Sequence, residues 1–410
     1  MRHLLGVDDT DSKFGHCTTH LAYLIVNELM SLGCEIPRYP RLVRLNPNIP
    51  FKTRGNAAVS IEFEADERLA DRAFEASERL LIAEADVANG ANSALIMASE
   101  GSSKEFFRGL YLRALNGVVS FRRVAREVST RGIRYKLLGN GMGVVGAAAS
   151  LGFSESDDHT YELIAYRLPE NCGTPRPVDP GSVVDMEAGT FPHTFNSFDH
   201  GSRRVLVAPK GPDPVLLGVR GDSPTVVLDA FRRIRVGEKP LGYMVYATNQ
   251  CTDAHFEEEL QLPLKAFSSG WLTGQVASTR TARGSHMTIY LKVGASTVPC
   301  MVYEPSGDLR FMARRLRPHD EIRVSGGVRK PSSKNPATVN VERIDVVRSR
   351  TAHSGSYLPS PRAQRHLTKQ LVRYGRESRA EYQLIRGWIE GPATAPLMPS
   401  SPSERRSRKA

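Results

Sequence analysis

The sequence predicts a multidomain chain of class α/β plus α+β, with a separate β-barrel and a basic C-terminal tail. Three observations carry that prediction. The first is length: 410 residues exceed what one ordinary core holds. The second is a change of periodicity, from helices and strands in alternation over roughly the first 250 residues to short strands with glycine turns and no long helix over 271–347. The third is a Ser/Pro-rich, then Arg-rich end with the composition of a disordered segment. The expected boundaries are 1–157, 158–267, 268–347 and 348–410.

Composition narrows the function classes. Hydrophobic residues make up 40% of the chain, and no apolar run reaches the roughly 18 residues that span a bilayer. No signal-peptide core precedes the first strand, so a cytoplasmic protein is expected. The five cysteines, Cys17, Cys34, Cys172, Cys251 and Cys300, are scattered without a Cys-x-x-Cys pair. Neither a disulfide framework nor a cysteine zinc site is expected. The net charge of +11 points to a polyanion, most often nucleic acid. Residues 351–410 hold eleven Lys/Arg against four Glu.

Arg2 to Val7 reads as a strand. The loop Asp8-Asp9-Thr10-Asp11-Ser12 follows, then Gly15-His16-Cys17-Thr18-Thr19 and a helix over 19–32 with Gly33 as its stop. Three carboxylates within four positions repel one another and call for a cation or full solvation. The helix start aims backbone N–H groups at the same place. Such a strand–loop–helix unit places ligand chemistry at the carboxyl end of a strand in an open α/β sheet. The segment from Pro40 opens as a strand that Asn46-Pro47 and Pro50 break. Lys52-Thr53-Arg54-Gly55-Asn56 then leads into a strand over 57–64. Gly lets a backbone approach phosphate and Arg can grip two oxygens, so this loop is the candidate partner of the acidic one.

Helices are expected over 66–88, 103–115 and 118–129, and a strand over 135–138. Gly141, Gly143 and Gly146 then give the spacing G-x-G-x-x-G. Alone this is a weak signal. The acids that follow, Asp157 and Asp158, come too early for a ribose contact, so tight helix packing competes with a phosphate cradle. From residue 161 to 247 the order is β-α-β-β-α-β, the split unit of a ferredoxin-like sandwich. Its polar loops include Thr248-Asn249-Gln250-Cys251-Thr252-Asp253. Five short strands over 272–346 resemble an OB barrel, whose kind binds single strands by stacking and phosphate contact. Tyr290, Tyr303, Phe311, Arg314, Arg315 and Arg317 are the candidate contacts, the aromatics competing with a role in the barrel core.

The stretches Gly6-Val7-Asp8-Asp9-Thr10-Asp11-Ser12, Cys17-Thr18-Thr19, Pro40 to Pro47, Lys52 to Asn56, Tyr161 to Arg167, Pro212-Asp213-Pro214, Gly218-Val219-Arg220-Gly221, Thr248-Asn249-Gln250, Tyr303-Glu304-Pro305, Asn340-Val341-Glu342 and Arg365-His366-Leu367-Thr368-Lys369 together resemble archaeal isoleucine-tRNA 2-agmatinylcytidine synthetases. The resemblance covers residues 1 to about 373. It implies a kinase-like N-terminal domain that uses ATP to phosphorylate the C2 oxygen of the first anticodon cytidine in a CAU-anticodon isoleucine tRNA. Agmatine then replaces the phosphorylated oxygen, with AMP and phosphate as products. Asp8, Asp9 and Asp11 are the implied holders of Mg²⁺ on ATP, one of them also a base, and Thr18 the implied phosphate acceptor. Ser12, Thr19, Lys52, Arg54, Gly55, Asn56, Gly141 and Gly143 are the expected nucleotide contacts. Asp213, Arg220, Asn249 and Asp253 are expected on the agmatine side, and Arg314, Arg315, Arg365 and Lys369 on the RNA. A monomer is expected.

Two departures stand out. The family's four-cysteine zinc ribbon is missing between the barrel and Arg365, so no zinc is expected. Cys251 stands where the family has glycine. Two rival readings remain: a small-molecule phosphotransferase, which leaves the barrel unused, and a non-catalytic single-stranded RNA-binding protein, which leaves the three carboxylates unexplained.

Overall fold

The computed structural model describes residues 1–348 apart from 54, 200–202, 283, 285, 304–307 and 334. It divides into two compact units, 1–178 with 207–231 and 236–255, and 179–206 with 232–235 and the chain from 256 onward.

The first unit is built on one sheet. Arg2–Asp8 forms β1, followed by helix α1 (Thr18–Ser31), β2 (Arg41–Arg44), β3 (Ala57–Glu64), α2 (Glu67–Glu84), β4 (Ala94–Ser99), α3 (Lys104–Asn116), α4 (Phe121–Thr130), β5 (Arg134–Leu137), α5 (Val144–Ser150) and β6 (Thr160–Arg167). Helix α6 (Pro180–Thr190) and the two-residue strands β7 (Thr194–Phe195), β8 (Phe198–Asp199) and β9 (Arg204–Val205) belong to the second unit. The chain then returns to the sheet with β10 (Val215–Gly221), α7 (Pro224–Arg233) and β11 (Pro240–Thr248). Within this unit the strands run β5-β4-β1-β3-β2-β11-β6-β10.

Strand β1 is antiparallel to both neighbours, β3 and β4. The acidic loop leaves the carboxyl end of β1, as the strand–loop–helix pattern predicts, although both pairings of that strand are antiparallel. Strand β2 pairs in parallel with β11, through Ala247↔Arg41 and Thr248↔Leu42. It makes the sheet continuous across the expected 157/158 boundary.

Alternation explains the layers. Leu5 and Val7 of β1 point to the face covered by α1 and α2, where Leu21, Ile25, Leu29, Phe63 and Phe74 pack. The opposite face carries α3, α4 and α5 with Phe107, Leu110, Val124, Val128 and Ala147. Each such fully buried Leu, Ile or Phe contributes about 2 kcal/mol. Strand β4, absent from the sequence-based expectations, is buried on both faces: Leu95 and Met97 join one core, Ala94, Ile96 and Ala98 the other. Helix α1 ends at Gly33, whose φ of 94° suits glycine. Helix α2 starts where the Asp66 side chain accepts from the Leu69 N–H at 2.8 Å.

In the second unit, β12 (Ser269–Thr281), β13 (Met287–Val293), β14 (Ser296–Val302), β15 (Glu321–Arg329) and β16 (Thr338–Arg348) close into a barrel in the order β12-β13-β14-β16-β15. Its core holds Leu272, Ile289, Leu291, Cys300, Ile322 and Ile344. The short helix α8 (Asp308–Arg315) joins β14 to β15.

Candidate active site

The acidic loop leaves β1 at the edge of α5. A Cβ on Gly6 would overlap the Ala147 carbonyl, and one on Gly146 would overlap the Asp8 carboxylate. A Cβ on Gly143 would stand 2.8 Å from the Asp8 carbonyl and 3.0 Å from the Asp9 Cβ. The glycine spacing at 141–146 thus seats a helix against the strand that carries the carboxylates. Only glycine allows that approach.

The loop is braced from several sides. Asp9 has a φ of 57°, a left-handed conformation that Asp tolerates better than most residues. Its carbonyl accepts from Ser93 Oγ at 2.7 Å. The Asp86 N–H donates to the Thr10 carbonyl at 3.1 Å, and Ser12 Oγ donates to Asp86 Oδ2 at 2.5 Å. The bond from Ser12 is the main reason the Asp86 carboxyl lies below the usual range. Thr18 opens α1, and its Oγ1 accepts from Thr10 Oγ1 at 3.1 Å and from the Thr10 N–H at 3.4 Å.

Electrostatically the loop is a cluster under strain. Burial, then Asp9 and Asp11, push the Asp8 carboxyl well above its ordinary range. Burial and the neighbouring Asp11 push Asp9 up to about 6. Burial also raises the Cys17 thiol, and Asp213 and Asp11 add to it, so the 211–214 turn comes close to the same loop.

A second cluster lies beside the first. Glu162 in β6 is buried between Arg220, at 2.9 Å, and Arg44, at 3.6 Å. The Asn249 side chain bridges Arg44's backbone, accepting from its N–H at 2.7 Å and donating to its carbonyl at 2.8 Å. Arg44 Nε donates to Gln250 Oε1 at 3.2 Å. A Cβ on Gly55 would stand 2.5 Å from Arg44 Nη1. Burial lowers the Arg44 pKa, and Glu162 and the Cys17 thiol act in the opposite sense.

Comparison with known proteins meets this geometry at the same residues. A family model described as the TiaS TCKD domain matches residues 4–137, and one described as the TiaS FLD domain matches residues 141–255. The chain is 35% identical to the isoleucine-tRNA 2-agmatinylcytidine synthetase TiaS of Cenarchaeum symbiosum, over 94% of this chain and 96% of that one. The chain belongs to the TiaS family. It superposes on a complex of TiaS with isoleucine tRNA and ATP with a TM-score of 0.78 at 32% identity, covering 85% of this chain and 81% of that chain. A ZRD-deleted mutant of TiaS in complex with agmatine matches with a TM-score of 0.75 at 28% identity, covering 90% of this chain and 96% of that chain.

Within the TiaS frame, the expected site residues fall into groups. Asp8, Asp9, Thr18 and Gly143 are gathered around β1, α1 and α5. Asp11, Ser12 and Thr19 flank them. Among the described residues no three His, Cys, Asp or Glu side chains assemble into a metal-holding group. Gly141, at a φ of 72°, packs on Leu137. Lys52 is exposed, and its Nζ donates to the Pro47 carbonyl at 2.5 Å within its own loop. The Asn56 amide does the same to the Asn46 carbonyl at 2.7 Å. Gly55 accommodates the Arg44 guanidinium. Asp213 is buried and receives Arg176 Nη2 at 3.1 Å and the Val215 N–H at 3.2 Å. Arg220 is committed to Glu162. Arg314 and Arg315 are exposed at the end of α8. Arg54, Arg365, Lys369 and the Phe311 side chain lie outside the described residues.

Sequence reasoning left Arg44 and Glu162 out of the site. Both stood inside stretches that carried the family resemblance, and the ion pair of Arg44 with the buried Glu162 can be found from sequence only by knowing that β2 and β6 are near neighbours. Cys251 is buried and has a φ of 63°, as expected of a position where the family has glycine. Asp253 follows at 59°.

Proposed function

We propose that this protein uses ATP to join agmatine to C2 of the wobble cytidine in a CAU-anticodon isoleucine tRNA, giving 2-agmatinylcytidine. The observation that carries the reading is membership of the TiaS family together with an intact Asp8-Asp9-Thr10-Asp11 loop abutting Thr18. An RNA-binding protein without catalysis has no use for carboxylates held that far above their normal range.

The chemistry follows from the residues. The C2 oxygen of cytosine leaves poorly, and a phosphoryl group on it makes displacement by an amine feasible. Thr18 Oγ1 accepts hydrogen bonds from Thr10, which directs the Thr18 proton away from Thr10 and leaves its oxygen aligned. Asp9, at about 6, suits a base that takes a hydroxyl proton near neutral pH. Two crowded carboxylates, Asp8 and Asp9, fit a divalent ion that arrives with ATP, since Mg²⁺ takes one or two carboxylates and completes its shell with phosphate oxygens and water. When bound, such an ion neutralises phosphate charge. Arg44, half-buried and in electrostatic contact with the Cys17 thiol, is a better-placed cationic partner for this chemistry than Lys52, which is turned onto its own loop. Agmatine's guanidinium needs a carboxylate and planar neighbours. Asp253, on the loop after β11, is the carboxylate proposed for it, while Arg176 engages Asp213 and the Asn249 amide holds the Arg44 backbone.

The domain labels follow the same reading. Residues 1–157 act as the kinase-like domain and 158–267 as the ferredoxin-like one, the latter supported by the antiparallel run β11-β6-β10. Residues 268–347 act as an OB-fold that holds RNA, supported by a closed five-stranded barrel in which β14 and β16 run parallel. The basic segment over 348–410 adds a grip on tRNA. No zinc is required, and a cytoplasmic monomer fits the reading.

The test is direct. Purified protein is incubated with ATP, agmatine and a CAU-anticodon isoleucine tRNA transcript, and the first anticodon nucleoside is analysed by mass spectrometry. A mass gain equal to agmatine less water is expected there. No gain in the presence of all three substrates overturns the reading.

A further inference from the structure

Two phenols meet at the first turn of α1. Tyr166 in β6 and Tyr246 in β11 are both fully buried. Their hydroxyls stand 2.7 Å apart, and they lie 2.9 and 2.7 Å from the Thr19 carbonyl oxygen. Three contacts share two protons. One phenol therefore donates to the other or to the carbonyl, and at any moment at least one holds Thr19. Burial raises both phenols well above their ordinary range, so both keep their protons.

A core-filling role does not account for the hydroxyls. Phenylalanine fills nearly the same volume without taking two O–H groups out of water, which costs a few kcal/mol each unless they are paired. What the hydroxyls add is a fixed point on the backbone beside Thr18. They reach it from the strands that build the neighbouring cluster. Glu162 stands four residues before Tyr166 on β6, and Asn249, which brackets the Arg44 backbone, stands three residues after Tyr246. The carbonyl is thus tied to both clusters at once.

We propose that Tyr166 and Tyr246 are positioning residues: their paired hydroxyls fix the Thr19 carbonyl and, through it, the Thr18 hydroxyl relative to Asp8 and Asp9. The proposal rests on the reading of Thr18 as a participant in ATP-dependent ligation.

Tyr166→Phe and Tyr246→Phe, alone and together, are tested in the full-length protein. The double variant leaves no buried donor without a partner, so folding is retained. Each single variant keeps one phenol on Thr19 and should hold kcat within about 1.5-fold of the parent, whereas misplacing a reacting group by a fraction of an ångström should lower kcat of the double variant by about tenfold or more. KM for ATP and for tRNA should stay unchanged in all three. This greater-than-additive loss in kcat is what a purely structural pair would not produce. A second arm separates hydroxyl from packing: Tyr166→Leu and Tyr246→Leu should melt at lower temperature yet keep kcat, because each retains one phenol. A double Phe variant with kcat within twofold of the parent, or folded Leu variants that lose kcat, overturns the proposal. Intact-mass analysis after incubation with ATP reports phosphate on Thr18 separately. If the parent ligates agmatine without any such phosphate, the role assigned to Thr18 fails, while the kcat comparison still decides the positioning.

Discussion

Replacing Asp9 with asparagine should stabilise the protein and remove its activity. The carboxyl of Asp9 is pushed from 3.8 to about 6 on folding, chiefly by burial and then by Asp11. Between those values the folded state holds a proton that the unfolded state has released. Stability is therefore greatest below pH 4 as far as this group is concerned. It falls as pH rises and is fully lost above pH 6. A shift of about 2 units corresponds to about 3 kcal/mol at neutral pH. Asparagine removes that term, accepts the same φ of 57° and keeps an acceptor for the backbone contact at Asn92. The assay is urea denaturation of parent and variant between pH 4 and pH 8. Circular dichroism at 222 nm is the probe, because Trp271 sits in the barrel and its fluorescence reports on the other unit. The variant should gain up to about 3 kcal/mol at pH 7 and show a flatter pH dependence from 4 to 6. A variant less stable than the parent at pH 7, or one with the parent's pH slope, refutes the account of a carboxylate held at a cost to the fold.

Other variants probe the rest of the site. Gly146→Ala gains about 1 kcal/mol of helix propensity but drives a methyl into the Asp8 carboxylate, so ligation should fall by about a hundredfold while the melting temperature changes by only a few degrees. Arg44→Lys should lower activity far more than Lys52→Ala, since only Arg44 reaches Gln250 and Glu162 together; steady-state rates of the two variants compare them. Cys251→Val should destabilise by about 2 kcal/mol, because a β-branched residue is poorly accommodated at a φ of 63°, whereas Cys251→Gly should be tolerated; denaturation midpoints distinguish them. Removing residues 351–410 should weaken tRNA binding and flatten its salt dependence, measured by filter binding across salt concentrations.

Much of the fold was legible because periodicity announces it. Helix α1 begins one residue before its expected start and ends where Gly33 forecasts. The barrel strands β13 and β15 also begin where the sequence predicts. Strand β4 was not legible. Ala94 to Ser99 is buried on both faces, so it shows neither alternation nor a helical stripe. The pairing of β2 with β11 joins residues more than 200 positions apart, and no local pattern encodes it. The carboxylates and Thr18 were visible as residue types at close spacing. The glycines at 143 and 146 were visible as a pattern whose meaning depended on what lay beneath them: here it is β1 and the Asp8 carboxylate. Arg44 and the two tyrosines acquire their roles only through contacts across the sheet.

The parallel seam between β2 and β11 also governs when the site can first exist. Residues 1–64 are synthesised well ahead of the strand that flanks β2 on its far side, which ends at Thr248. At about 5–20 residues per second, synthesis of the intervening stretch takes about 10–40 s. During that interval β2 presents an unpaired edge, and the Thr19 carbonyl lacks the Tyr246 hydroxyl. The acidic loop is thus made well before the strand that completes its surroundings, so a nascent chain carries the carboxylates long before it can use them.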